Sequence, residues 1–160
     1  MYNLTKTNLT WIRVTAPDAN NSSQQSILYD YVINIYGNIQ IFKNHIALTY
    51  FNLWGLKNIT GDIGIIFANW YKIMHIEIQG SWGFDSVDTT GTTITGNISI
   101  LSDKYDSSVI GLTGRKGVNG EVKSLKNLKK IWYLALNLTS CTGSKTDLYN
   151  QGANVTTFRI

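Results

Sequence analysis

The sequence predicts a mainly β chain, an α/β-type solenoid of about four stacked units behind an N-terminal β cap or anchor. One observation is a triplet of glycine, polar residue and branched aliphatic, at Gly37-Asn38-Ile39, Gly61-Asp62-Ile63, Gly96-Asn97-Ile98 and Gly120-Glu121-Val122. Its first and last intervals are 24 residues and the middle one is 35, a repeat carrying one insertion of eleven. A second is an apolar-x-apolar step at the same phase: Phe51-Asn52-Leu53, Ile76-Glu77-Ile78, Ile110-Gly111-Leu112 and Leu134-Ala135-Leu136. It follows the glycine by fourteen residues in three units and by fifteen in the second. Such alternation marks a short strand with one buried face. Composition is the third: a single proline, 43% hydrophobic and 12% aromatic residues favour strands and turns around a packed core.

Residues 1–36 fall outside the repeat. Leu9 to Thr15 reads as a strand, 17–25 as a polar loop and Ser26 to Ile35 as a second strand. Two such strands would either cap the open end of the solenoid or anchor the chain on a larger assembly. Residues 37–160 form the solenoid, although Ile33 to Ile41 reads equally well as two strands around a turn. Leu48, Ile73 and Leu128 or Ile131 stand where the chain turns into each strand.

The eleven extra residues lie around Ser81 to Thr93. There Trp82 and Phe84, among small polar neighbours, have the composition of a recognition loop; the same rings would also serve to cover a core gap. In the fourth unit the next glycine, Gly143, comes one residue early and the phase is lost. The last nine residues, 152–160, alternate like a closing strand with Phe158 and Ile160 inward.

The recurring line is L-x-x-L-x-L-x-x-(L)-x-x-I-T-G-x-I, clearest from Leu48 to Ile63. It resembles the leucine-rich repeat, in the form of about 24 residues that reads L-x-G-x-I after the strand. The segments at 59–63 and 94–98, I-T-G-D-I and I-T-G-N-I, are similar to units in repeat proteins of gut Bacteroidetes and their phages. The likeness covers about 37–143. It departs from the family where an asparagine usually follows the strand; Leu56, Ser81, Arg115 and Thr139 fall there instead.

The resemblance implies a non-enzymatic binding or structural module whose strand face is the contact surface. Asn52, Glu77, Gly111 and Ala135 stand on that face, flanked by Tyr50, His75 and Tyr133. It implies a virion surface protein of head, tail-fibre or decoration type. Residues 1–36 would attach to a capsid or tail protein, and the face and the Trp82 loop would turn towards a protein or glycan of the host. Homo-oligomers are expected, because a short solenoid leaves sheet edges open.

A different class rests on charge. The chain carries +4, and Arg115, Lys116, Lys123, Lys126, Lys129 and Lys130 fall within sixteen residues beside one acid, Glu121. Such a patch suits a regulatory protein of the bacterial cytoplasm that binds nucleic acid or an acidic partner. Against it, Leu125, Leu128 and Ile131 recur every three residues, the spacing of a 3₁₀ or α turn with its lysines in water.

Chemistry finds little purchase. Cys141 is the one cysteine, so no internal disulfide forms, and it reads as a small apolar residue. His45 and His75 have no third and fourth ligand at metal spacing, and Asp85 with Asp88 and Asp103 with Asp106 read as turn residues. No enzyme, metal or cofactor is expected. No run of eighteen apolar residues predicts a membrane span, and the first residues lack the apolar core of a cleavable signal. An ordinary antiparallel β domain with glycine-rich turns is the competing architecture.

Overall fold

A computed structural model describes residues 9–14, 35–56, 58–79, 93–149 and 154–160. Along the chain, strands alternate between two sheets. One contains, in order, β1 (Trp11–Arg13), β3 (Tyr50–Asn52), β5 (His75–Glu77), β7 (Val109–Gly111), β9 (Tyr133–Ala135) and β11 (Thr157–Arg159). The other contains β2 (Tyr36–Asn38), β4 (Asn58–Asp62), β6 (Ile94–Asn97), β8 (Gly117–Glu121) and β10 (Ser140–Thr142). Every pairing is parallel. Each turn of the chain therefore adds one rung to each sheet, and the antiparallel architecture is overturned. The six rungs of the larger sheet outnumber the four triplets, because β1 and β11 at its ends carry none.

The core lies between the sheets. From each triplet the chain crosses to the next strand in steps of three, with Ile39, Phe42, His45, Leu48 and Phe51 turned inward in one coil. The cause is a series of 3₁₀-type bonds: the N–H of His45 donates to Phe42 and that of Leu48 to His45, at 2.9 and 3.1 Å. With three residues per turn, every third side chain points the same way. Val122, Leu125, Leu128, Ile131 and Leu134 repeat the pattern, and Lys123, Lys126, Lys129 and Lys130 stay in water as expected. In the second unit a single α turn, Ile63–Ile66, replaces the 3₁₀ turn, and the Phe67 N–H donates to Ile63 at 3.0 Å. That turn absorbs one more residue, which is why its strand follows at fifteen rather than fourteen.

The glycine triplet is a stacking device. Gly120 has φ +118°, and a Cβ there would meet the Asn97 Oδ1 at 2.5 Å and the Ile98 Cγ1 at 2.9 Å. Gly61 sits in the same way on Ile39, Gly96 on Ile63 and Gly143 on Val122. Gly143 is thus in phase, contrary to the sequence expectation: Thr142 pairs with Glu121, which sets Gly143 beside Val122. The middle residue caps the turn that follows, since Asn38, Asp62 and Asn97 accept from the N–H groups of Gln40, Gly64 and Ser99. Glu121 makes no such bond and pairs with Lys123 instead.

Two polar residues hold inward positions in the third of these coils. Lys104 is buried, 2.8 Å from the Asp103 carboxylate and 4.4 Å above the Tyr71 ring, and it donates to the Ala68 carbonyl. Ser107 stands where other coils have Leu48, Ile73 and Ile131, and its hydroxyl donates to the Ile73 carbonyl at 2.9 Å.

Arg115 corrects the predicted basic patch. It is 1% exposed: its Nε donates to the Ile78 carbonyl at 2.7 Å and a terminal nitrogen to the Leu56 carbonyl at 2.6 Å. The other terminal nitrogen reaches the Thr93 hydroxyl at 3.4 Å. Its long side chain thereby bonds main chain on other coils.

The closing strand is present as β11, with Phe158 packed on the core. Ile160, expected inward, is exposed, because the sheet ends at Arg159 and no further rung covers it among the described residues. Around Gly37 the described chain forms β2 and then a 3₁₀ turn, Ile39–Phe42, rather than two strands about a turn. The 17–25 loop, the strand expected from Ser26, Trp82 and Phe84 lie outside the described residues. Among the described residues no helix is long and apolar enough to cross a membrane.

Two predictions follow from this packing. Gly120→Ala lowers stability by roughly 3 kcal/mol through strain and overpacking, whereas Gly37→Ala costs about 1 kcal/mol, since a Cβ at Gly37 meets nothing within 4 Å among the described residues. Arg115→Met orphans two buried carbonyls and costs about 3 kcal/mol, while Lys116→Met leaves the urea midpoint unchanged.

Candidate binding face

Alternation along the larger sheet turns Phe51, Ile76, Ile110 and Leu134 into the core and leaves two outward rows. Register sets Trp11, Tyr50, His75, Val109, Tyr133 and Thr157 in one row. The other is Arg13, Asn52, Glu77, Gly111, Ala135 and Arg159.

Glu77 is the hub. Its Oε2 accepts from the Asn52 amide and lies 2.9 Å from the His75 Nε2, and its Oε1 accepts from Gln79 at 3.3 Å. The Asn52 Oδ1 accepts from the Trp54 N–H at 3.0 Å, so both ends of an amide that is 3% exposed are used. Above the hub, the Tyr50 ring stacks on His75 at 4.1 Å and 16°, and Trp11 meets Tyr50 edge-on at 5.1 Å. Offset and edge-to-face contacts of this kind fix ring positions before any ligand arrives.

Gln79 carries the network sideways. It lies over Gly111, where a Cβ would meet its Nε2 at 2.6 Å, and it donates to the Tyr133 hydroxyl at 3.4 Å. A glycine there makes room for the bridge. Tyr133 in turn packs edge-on against Trp132, whose ring is 48% exposed. At the other end Trp11 is 60% exposed.

The sequence-named residues Tyr50, Asn52, His75, Glu77 and Tyr133 therefore share one connected surface. Gly111 and Ala135 hold the expected row but are buried. Sequence reasoning missed Gln79, Trp11, Trp132 and Arg13. Gln79 was signalled by its place two residues after Glu77, on the same side of the strand line. Trp11 and Arg13 could not be registered against Asn52 without the pairing of β1 with β3. Arg13 and Arg159 end their row exposed, without an ion pair among the described residues.

Of the basic patch, Lys116, Lys123, Lys126, Lys129 and Lys130 are exposed, and none of them stands in the two outward rows. Glu121 raises the Lys123 ammonium above its usual pKa, by hydrogen bond first and by charge second. Lys130 pairs with Asp106 beside a shallow cleft lined by Tyr105, Asn127 and Lys129. Two of the five lysines thus carry a partner acid. Cys141 is half-buried, and burial pushes its thiol up, against a smaller lowering by Thr139. Among the described residues no group of three His, Cys, Asp or Glu side chains is placed to hold a metal.

No protein-family model matches the chain, and no curated protein matches it.

Glu77→Ala is expected to strand the buried Asn52 amide and lower stability by about 1–3 kcal/mol, read as a fall in the urea midpoint. The Cys141 thiol should alkylate more slowly than a free cysteine at pH 8, with denaturant abolishing the difference; equal rates in the native state would contradict its burial.

Proposed function

We propose that the chain is a short leucine-rich-repeat-like solenoid acting as a non-enzymatic binding and structural module. The observation that carries this is the Glu77 network, in which donors, acceptors and stacked rings are tied together on an outward sheet face. A surface whose side chains are already fixed loses little conformational entropy on binding, which is what a recognition surface needs. The steps of three buried residues and the recurring interval of 24 support the repeat reading. By the resemblance of its repeat units, the working place of this module is the surface of a phage particle. Capsid or tail protein then lies on one side and host surface on the other. Edges at β1 and β11 with no further strand among the described residues favour self-association or docking on a partner's sheet.

The alternative, a cytoplasmic nucleic-acid binder, rests on Lys116, Lys126 and Lys129, the exposed lysines of the basic patch without an ion pair among the described residues. It predicts binding that falls steeply with salt. The removal of Arg115 from the surface weighs against it.

Adsorption separates the readings. Added in excess, the full chain should compete with phage particles for host cells, and the double variant Trp11→Ala/His75→Ala should lose that competition while keeping its fold by circular dichroism. Competition equal to wild type from the variant, or none from wild type, would sink the proposal.

A further inference from the structure

We infer that the face binds an acidic oligosaccharide, a chain of pyranoses carrying carboxylates, laid across the rungs from Trp11 towards Trp132. The inference rests on the reading of this sheet as a binding face and names its ligand class.

Trp11 and Arg13 are both exposed and, two apart on one strand, project from the same side about 7 Å from each other. A tryptophan ring offers a flat apolar surface to the C–H face of a pyranose, and a guanidinium presents paired donors matched to a carboxylate. One sugar unit carries both features at this separation. The next rungs supply hydrogen-bonding edges: the Tyr50 hydroxyl, the half-buried His75 and Glu77, and the Tyr133 hydroxyl. Trp132 then offers a second exposed ring four rungs from Trp11, about 19 Å away. An extended oligosaccharide spans that distance and a monosaccharide does not.

Charge selects the acidic member of the class. Glu77 is the one acid in the two rows, and the Asn52, His75 and Gln79 side chains surround its carboxylate. Arg13 and Arg159 stand free of acids at the two ends of the row among the described residues. The face is left net positive, complementary to carboxylates. A protein ligand would instead call for an apolar centre, and here the centre is the polar hub, with the large apolar rings at its margins.

The test uses the full chain with three probes, hexagalacturonate, hexamannuronate and a hyaluronan hexasaccharide, followed by calorimetry and tryptophan fluorescence. At least one is expected to bind. For that probe, Trp11→Ala and Arg13→Gln should each weaken binding about tenfold, and methyl esterification should cost as much as Arg13→Gln. Trp132→Ala should weaken the six-unit probe and leave its two-unit fragment unchanged. Lys126→Gln/Lys129→Gln should change nothing, because those lysines stand outside the two rows. No binding by any probe, equal binding of the ester, or loss in the lysine variant would overturn the inference, as would equal affinity for a single-stranded hexanucleotide. If no probe binds yet Trp11→Ala/His75→Ala has lost its competition for cells, only the ligand class falls. If that variant competes like wild type, the face reading falls with it.

Discussion

Each coil is locked to the next where a glycine rests against the aliphatic side chain of the preceding triplet. Parallel strands alone would hold the rungs at a fixed spacing, but they would leave sliding along the strands open. The contact of Gly61 on Ile39, repeated at Gly96, Gly120 and Gly143, removes that freedom. Its positive φ turns the chain, and the missing side chain lets the next coil come close. Once this register is set, the inward steps of three and the outward rows of the larger sheet follow from geometry. The Glu77 hub exists because the same alignment brings Asn52 beside it, while His75 stands two residues earlier on its own strand.

Three of the polar intruders in the coils reach a main-chain carbonyl. Ser107 replaces an aliphatic and finds Ile73, Lys104 finds Ala68 and the Asp103 carboxylate, and Arg115 finds Ile78 and Leu56. A stacked parallel fold presents columns of carbonyls at regular intervals, and these long or flexible side chains reach them, whereas the rigid Trp70 indole N–H, also buried, finds no acceptor among the described residues. The same logic runs along the sheet margin, where the hydroxyls of Thr49, Ser108 and Thr156 donate to the carbonyls of Thr10, Met74 and Trp132.

How much of this was legible depended on whether the signal was local. The triplets, the strand steps and the exposed lysines over buried Leu125, Leu128 and Ile131 could be read because each is a spacing within one coil. Arg115 was misplaced because a charged residue between polar neighbours looks like surface; its burial is decided by carbonyls 37 and 59 residues earlier. The phase at Gly143 was lost because counting along the chain ignores the strand register that restores it. Among face residues, Tyr50, Asn52, His75 and Glu77 were visible as outward positions. The bridge from Gln79 over Gly111 to Tyr133 crosses two rungs, and no spacing encodes it.

Arg115 grips the carbonyl of Ile78, just past the end of β5, and the hydroxyl of Thr93, just before the start of β6. A guanidinium from a later coil thus staples the exit of a strand in one sheet to the entrance of a strand in the other. A second clasp on the Leu56 carbonyl extends the staple to a third coil, so one side chain carries shear between coils that the strand ladders alone would have to bear.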